Sequence, residues 1–124
     1  MKKLALCGHG DCILIADGNY PLDSESGDAD KVYLAVKNGV PTVTEVLEAL
    51  KGVVAFEKAE VMMPEGDVEP EIFDEFRQML GGMELNKLGR FEFYEACNKS
   101  KIRLAISTGE KRVYANILLT IGVV

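Results

Sequence analysis

The stretch Cys12-Ile13-Leu14-Ile15-Ala16 decides the fold of this 124-residue chain. An uninterrupted apolar run of this length, followed at once by Asp17 and Gly18, is typical of a β-strand that is buried on both faces. Such a strand needs neighbouring strands on both edges and helices packed above and below it. The run therefore predicts the central strand of an α/β protein.

The rest of the chain alternates between strand-like and helix-like patterns. Helices are predicted from the capping box Thr42-Val43-Thr44-Glu45 to Gly52, from Pro70 to Gly81-Gly82, and over residues 90–98. Further strands are predicted over residues 32–36, 53–56, 59–63, 102–106 and 113–119. The last two strands are expected to run antiparallel, because a short turn at Thr108-Gly109-Glu110 joins them. We therefore expect one domain over residues 1–124, a three-layer α/β/α protein with a mixed β-sheet.

The composition argues against several classes of protein. A formal net charge of −6 with no clustered basic face argues against nucleic-acid binding. No window approaches the roughly 20 apolar residues of a membrane span. The segment after Met1-Lys2-Lys3 is too short for a signal peptide. We therefore expect a cytoplasmic protein that binds neither nucleic acid nor membranes.

The three cysteines, Cys7, Cys12 and Cys97, are an odd number and lack the paired spacing of a zinc site. They are expected to be small packing residues in a reducing compartment. Gly8-x-Gly10 also lacks the third glycine of a dinucleotide-binding loop. Neither a metal nor a nucleotide cofactor is therefore expected.

His9 is the only histidine, and it lies within Gly8-His9-Gly10-Asp11 just before the central strand. Imidazole has an ordinary pKa of about 6.5, so this side chain can give or take a proton near neutral pH. A mere turn residue fits the same position about equally well. The residues alone leave similar alternatives at Asp17 (ligand contact or turn), Arg90 (ligand contact or surface helix start) and Tyr114 (ligand contact or half-buried strand residue).

Several short motifs occur in an order that resembles the fucose mutarotase and ribose pyranase family (RbsD/FucU). Each motif alone is weak, but the ordered set is specific and spans essentially the whole chain. From first to last, the motifs are Gly8-His9-Gly10-Asp11 with Asp17, Asn19-x-Pro21, Val61-Met62-Met63, Glu65-Gly66-Asp67, Arg90-Phe91-x-Phe93-Tyr94-Glu95, Thr108-Gly109-Glu110, Tyr114-Ala115-Asn116-Ile117-Leu118-Leu119 and Gly122-Val123.

The resemblance implies a cofactor-free isomerase with an RbsD-like fold that interconverts forms of a reducing monosaccharide. It implies that His9 is the catalytic proton donor. Asp11 is the nearest candidate to orient the imidazole, although a backbone cap fits the same position. It also implies a homo-oligomer, a ring-shaped decamer in the family, with sites at the subunit interfaces. The implied sugar contacts are Asp17, Arg90, Tyr114, Ala115 and Asn116.

The identity of the sugar rests on a smaller part of the resemblance. Arg90 and Tyr94-Glu95 resemble the fucose branch, since the ribose branch tends to carry a histidine near this point. We therefore expect an L-fucose mutarotase that interconverts the α and β anomers. The alternatives are a D-ribose pyranase, which interconverts pyranose and furanose rings, a non-catalytic sugar-binding protein in regulation or transport, and a purely structural ring subunit.

Overall fold

The computed structural model describes residues 10–21, 26, 29–34, 40–66, 68–99 and 102–122. The strands in this part of the chain are β1 (Cys12–Ala16), β2 (Asp30–Tyr33), β3 (Phe56–Met62), β4 (Leu85–Leu88), β5 (Ile102–Ser107) and β6 (Ile117–Ile121). The helices are α1 (Val43–Lys51), α2 (Ile72–Met79) and α3 (Arg90–Lys99). Among these residues, no helix is long and apolar enough to span a membrane.

The six strands form one sheet in the order β2-β5-β1-β6-β3-β4. The pairs β1–β5, β2–β5 and β3–β4 are parallel, whereas β6 is antiparallel to both of its neighbours, β1 and β3. The prediction of a mixed sheet is therefore confirmed. β1 lies between β5 and β6, so the last two strands run in opposite directions without being paired. The expected short turn between them is wrong, because residues 108–116 have to pass the end of β1.

Helices cover both faces of the sheet. Ile13 and Ile15 of β1 point to the face where α1 and α2 pack, and Leu14 points to the face where α3 packs, as the alternation of side chains along a strand requires. Phe73 of α2 lies in the first core and Phe93 of α3 in the second. All of β1 is buried. The three-layer α/β/α arrangement and the buried central strand are thus confirmed.

Several element boundaries differ from the sequence-based expectation. β3 is one continuous strand where two extended segments with a polar break are expected. β6 begins at Ile117 rather than Val113, and β2 ends at Tyr33, with residues 35–39 outside the described part of the chain. The hydrophobic pattern does not predict β4, because Leu85-Asn86-Lys87-Leu88 is a short, half-polar edge strand.

The topology brings distant parts of the chain to one edge of the sheet. Because β1 to β5 all run parallel, their carboxyl ends share an edge with the amino end of the antiparallel β6. Asp17 follows β1, Arg90 follows β4, and residues 114–116 precede β6. Ligands of open α/β sheets bind outside the carboxyl ends of the strands. This edge is therefore the place to look for a site.

The capping box at the start of α1 offers a test of local stability. Thr42 Oγ1 accepts a hydrogen bond from Glu45 N (3.2 Å), and Glu45 Oε1 accepts one from Thr42 N (2.9 Å). Thr42→Ala removes the acceptor for a first-turn N–H, so we expect the free energy of unfolding to fall by about 1 kcal/mol in urea denaturation. The exposed Glu48→Gln on the same helix is the control and should change it by less than about 0.5 kcal/mol. Equal losses in both variants would contradict the capping role.

Candidate functional site

A cavity of about 170 Å³ lies at this edge of the sheet. Residues from three separate segments, all singled out in the sequence, line it: Asp17, Arg90, Tyr114 and Asn116. The other lining residues are Asn19, Tyr20, Met62, Tyr94 and Val113. The volume corresponds to about five or six water molecules. The cavity therefore has room for a small polar ligand.

Asp17 is the polar centre of this cavity. Its Oδ1 accepts a hydrogen bond from Asn19 N (2.9 Å), and its Oδ2 accepts one from Ala115 N (3.3 Å). In return, Asp17 N donates to Asn116 Oδ1 (2.8 Å). Asp17 and Asn116 are each 3% exposed, and the Ala115 side chain is fully buried. These bonds tie the end of β1 to the segment before β6 and hold the carboxylate and the amide in fixed relative positions.

Burial raises the pKa of Asp17 above its ordinary value of 3.8, because the charged form loses hydration inside the protein. The backbone N–H groups of Asn19, Ala115 and Tyr20 oppose this shift, and the nearby Glu110 carboxylate adds to it. A carboxylate has about four acceptor positions, so these backbone donors leave acceptor capacity for a ligand hydroxyl. The fold therefore sets both the pKa of Asp17 and the number of hydrogen bonds that its carboxylate can still accept.

Tyr114 has a left-handed backbone conformation, with φ of +59°. This conformation costs a residue with a Cβ about 1–2 kcal/mol, so it persists only where neighbouring contacts hold it. The strand predicted over residues 113–119 therefore does not include Tyr114 or Asn116, since both precede β6 in irregular chain. Both nevertheless line the cavity, Asn116 beside Asp17 and Tyr114 from the left-handed turn.

Arg90 is the first residue of α3, and it is exposed. It lines the small cavity and also an open cavity of about 1280 Å³. Tyr114 lines both cavities as well. A guanidinium presents a planar fork of N–H donors, which suits neighbouring hydroxyl groups or a ring oxygen. Arg90 and Tyr114 therefore stand where a ligand in the small cavity meets the larger opening.

An ion-pair cluster supports the wall of the larger cavity. Glu69 accepts two hydrogen bonds from Arg77 (3.0 and 2.9 Å) and one from Lys87 Nζ (2.8 Å). These bonds lower the pKa of Glu69 to about 2. The cluster joins the segment after β3 to α2 and β4, and so fixes the chain that precedes Arg90.

Aromatic side chains stand beside the polar groups of the small cavity. Tyr20 packs edge-to-face against Tyr94 (centroids 5.5 Å apart) and Phe93 (5.9 Å). Such a wall suits a ligand that has both apolar and polar faces. Tyr20, Tyr94 and Asn19 are lining residues that the sequence reasoning misses, although all three lie within motifs quoted above.

The predicted proton donor His9 lies outside the described residues. Its chain neighbour Gly10 donates its N–H to Ile121 O (2.9 Å), and Ile121 N donates to Asp11 O (2.8 Å). The pairing of β1 with β6 therefore continues past the amino end of β1. Asp11 consequently lies at the opposite edge of the sheet from Asp17.

The cysteines in the described part of the chain, Cys12 and Cys97, are buried, whereas Cys7 lies outside it. Burial raises the pKa of the Cys12 thiol. Within the described ranges, no group of three histidine, cysteine or carboxylate side chains is placed to hold a metal ion.

Known proteins share both the sequence pattern and the fold. A model of the RbsD / FucU transport protein family matches residues 1–124. A D-ribose pyranase from Chloroflexus aggregans is 30% identical over 123 residues, which make up 99% of this chain and 90% of that protein. A D-ribose pyranase from Geobacillus kaustophilus is 31% identical over 120 residues, or 97% of this chain and 85% of that protein.

Three solved structures resemble this one over 99% of the chain. FucU from Bifidobacterium longum is 32% identical, with a TM-score of 0.84 and 92% of its chain covered. The fucose mutarotase from Streptococcus pneumoniae, solved with L-fucose, is 31% identical, with a TM-score of 0.82 and 90% covered. RbsD from Bacillus subtilis, solved with D-ribose, is 29% identical, with a TM-score of 0.85 and 90% covered. The relatives are thus sugar pyranases and mutarotases, isomerases of reducing sugars.

The raised pKa of Asp17 predicts a pH effect of definite sign. At pH values between 3.8 and the raised pKa of Asp17, the folded state binds more protons than the unfolded state. The contribution of protonated Asp17 to the free energy of unfolding is therefore lost as the pH rises through this range. Carboxyl ¹³C NMR should show Asp17 titrating above 3.8. The stability difference between the parent and Asp17→Asn should change over the same pH range. A carboxyl that titrates at or below 3.8 would contradict the prediction.

Proposed function

Because the chain belongs to the RbsD / FucU transport protein family, we propose that it is a cofactor-independent sugar isomerase, an L-fucose mutarotase that interconverts the α and β anomers. The observation that carries the proposal is the convergence of Asp17, Arg90, Tyr114 and Asn116 on one small cavity. The chain brings them there from three segments, and each has the polar chemistry that a sugar ring needs.

The reaction opens and closes one carbon–oxygen bond of the sugar ring, and the protein has to assist only the proton transfers. A base removes the proton of the anomeric hydroxyl while an acid delivers one to the ring oxygen, and the bond between the ring oxygen and the anomeric carbon breaks. Closure on either face of the aldehyde then sets the product anomer. His9 is the group proposed for these transfers, since an imidazole serves in both directions near neutral pH. General acid–base catalysis contributes about 10²–10⁴-fold, which is adequate because sugars already interconvert slowly in water.

The remaining residues hold the sugar in this proposal. The acceptor capacity left on the Asp17 carboxylate takes ligand hydroxyls, and the Arg90 fork donates to neighbouring hydroxyls or to the ring oxygen. Asn116 Oδ1 accepts from Asp17 N, so the amide offers its Nδ2 group as the donor. Tyr114 contributes its ring and hydroxyl at the mouth, and Ala115 acts through its N–H on Asp17.

The proposed site needs two copies of the chain. Gly10 and Asp17 lie beyond opposite ends of β1, whose five extended residues alone span about 13 Å at about 3.3 Å per step. His9 is bonded to Gly10, and consecutive Cα atoms are only about 3.8 Å apart. An imidazole cannot bridge the remainder, so His9 of one copy would serve the Asp17 cavity of another. The implied ring-shaped homo-oligomer provides such interfaces.

The choice of L-fucose rests on Arg90 and the motif that follows it, which resemble the fucose branch. A second candidate is a D-ribose pyranase, because the curated relatives carry that name and one similar structure was solved with D-ribose. Both candidates use the same cavity and the same proton transfers. A third is a sugar-binding protein that keeps the cavity but lacks turnover.

Exchange NMR of L-fucose and D-ribose tests the reaction. We expect the parent protein to accelerate anomer exchange of L-fucose, and His9→Ala to return the rate to that of buffer. Glu48→Gln, on the exposed face of α1, is the control and should keep the parental rate. Acceleration only of pyranose–furanose exchange in D-ribose would replace the fucose assignment. Sugar binding without acceleration in the parent would reject the catalytic proposal.

Mixing two inactive variants tests the shared site. His9→Ala keeps Asp17 and Asp17→Asn keeps His9, so a mixed oligomer contains some sites with both groups. In equal co-expression we expect about a quarter of the parental exchange rate, because each site draws each partner at random from the two variants. Each variant alone should be inactive. If the mixture is as inactive as its components, both groups come from one chain and the two-copy site is rejected.

A further inference from the structure

The segment between β5 and β6, residues 108–116, is anchored at both of its ends. Thr108 N and Thr108 Oγ1 both donate to Ala16 O, at 3.1 and 2.7 Å. At the far end, Ala115 N donates to Asp17 Oδ2 (3.3 Å). These bonds hold the two ends of the segment at the carboxyl end of β1. Neither set of bonds involves the middle of the segment.

The middle of the segment is held by an ion pair between the buried Glu110 and the exposed Arg112. Glu110 is 5% exposed; its backbone carbonyl accepts Gly18 N (3.0 Å), and its Oε1 accepts Val43 N at the start of α1 (3.3 Å). Arg112 Nε and Nη2 donate to the two carboxylate oxygens of Glu110, at 3.1 and 3.2 Å. Arg112 Nη1 donates to Glu75 Oε2 on α2 (2.5 Å). The Arg112 guanidinium thus links two positions of the segment to each other and ties them to α2.

We propose that Arg112 is a positioning residue for the small cavity: its clamp between Glu110 and Glu75 keeps Tyr114, two residues later, in the left-handed conformation that puts it in the cavity wall. Tyr114 lies between this clamp and the bond from Ala115 to Asp17. A conformation that the residue itself disfavours needs such a hold on both sides. The proposal rests on the proposed function, because it concerns the same sugar site.

The clamp requires the geometry of an arginine. Three of the five guanidinium N–H groups are used, two side by side on Glu110 and one on Glu75. A lysine has a single point charge and cannot reproduce this fork. Burial acts to raise the pKa of Glu110, but the hydrogen bonds and charge of Arg112, with Val43 N, outweigh it and leave the pKa lowered. The ion pair is therefore fully charged at neutral pH.

The first test observes Tyr114 directly in the absence of sugar. The chain has four tyrosines, so 3-fluorotyrosine labelling gives a small set of ¹⁹F signals, and Tyr114→Phe identifies the one from Tyr114. We expect Arg112→Gln to shift or broaden that signal and to leave the other three unchanged. Lys111→Gln is the matched control, because it removes the same charge from the exposed neighbouring position. Parental ¹⁹F signals in Arg112→Gln, or equal shifts of all four, would overturn the proposal.

The second test separates positioning from catalysis. If the competent conformation of Tyr114 falls to about a tenth, the apparent affinity for L-fucose falls about tenfold, because only that fraction of the protein binds. The exchange rate at saturating sugar should stay parental, since bound sugar selects the competent conformation. Arg112→Lys should rescue only part of the affinity. A loss confined to the saturated rate would contradict a positioning role.

A second variant keeps the inference testable if Arg112→Gln does not fold. Glu75→Ala removes only the outer anchor and leaves Arg112 paired with Glu110. It should move the Tyr114 signal in the same direction by a smaller amount, and an unmoved signal would overturn the role of the clamp on α2. A parent protein that binds no sugar but whose Tyr114 signal depends on Arg112 would reject the proposed function and keep the positioning role.

Discussion

A carboxylate buried at the end of a central strand needs hydrogen-bond donors, and Asp17 draws them from two parts of the chain that are far apart in sequence. Asn19 N belongs to the turn after β1, and Ala115 N belongs to the approach to β6. Asp17 N in turn donates to the amide oxygen of Asn116. The contacts that satisfy the buried charge also align β1 with β6 and assemble the cavity, so fold and site depend on the same bonds.

Much of the fold follows from local sequence patterns. The apolar run of β1 and the capping box of α1 are strong signals because burial and the helix start each require particular residues at particular positions. The strand order is not available in this way, since hydrophobic periodicity says which face is buried but not which strand is the neighbour. Tertiary contacts therefore determine that β6 lies between β1 and β3 and that β4 forms the edge of the sheet.

The site shows the same division between local and tertiary information. Motif order singled out Asp17, Arg90, Tyr114 and Asn116, and the structure places all four at one cavity. The backbone of Tyr114 could not be anticipated, because Val113, Tyr114 itself and the apolar run from Ile117 favour an extended chain, while tertiary anchors impose a left-handed turn. The contact between Tyr20 and Tyr94 forms only when α3 packs on the sheet, so the spacing of residues along the chain does not predict it.

The position of β6 also has a consequence for how the molecule is made. β6 separates the parallel strands β2-β5-β1 from the parallel pair β3-β4, and it follows all of them in the chain. During synthesis on the ribosome, β1 is therefore made about a hundred residues before β6, with which it pairs, since Ile15 pairs with Ile117. Contacts of such long range form slowly. Until β6 is in place, β1 and β3 each have an unpaired edge, and the cavity lacks the wall that Tyr114 and Asn116 provide.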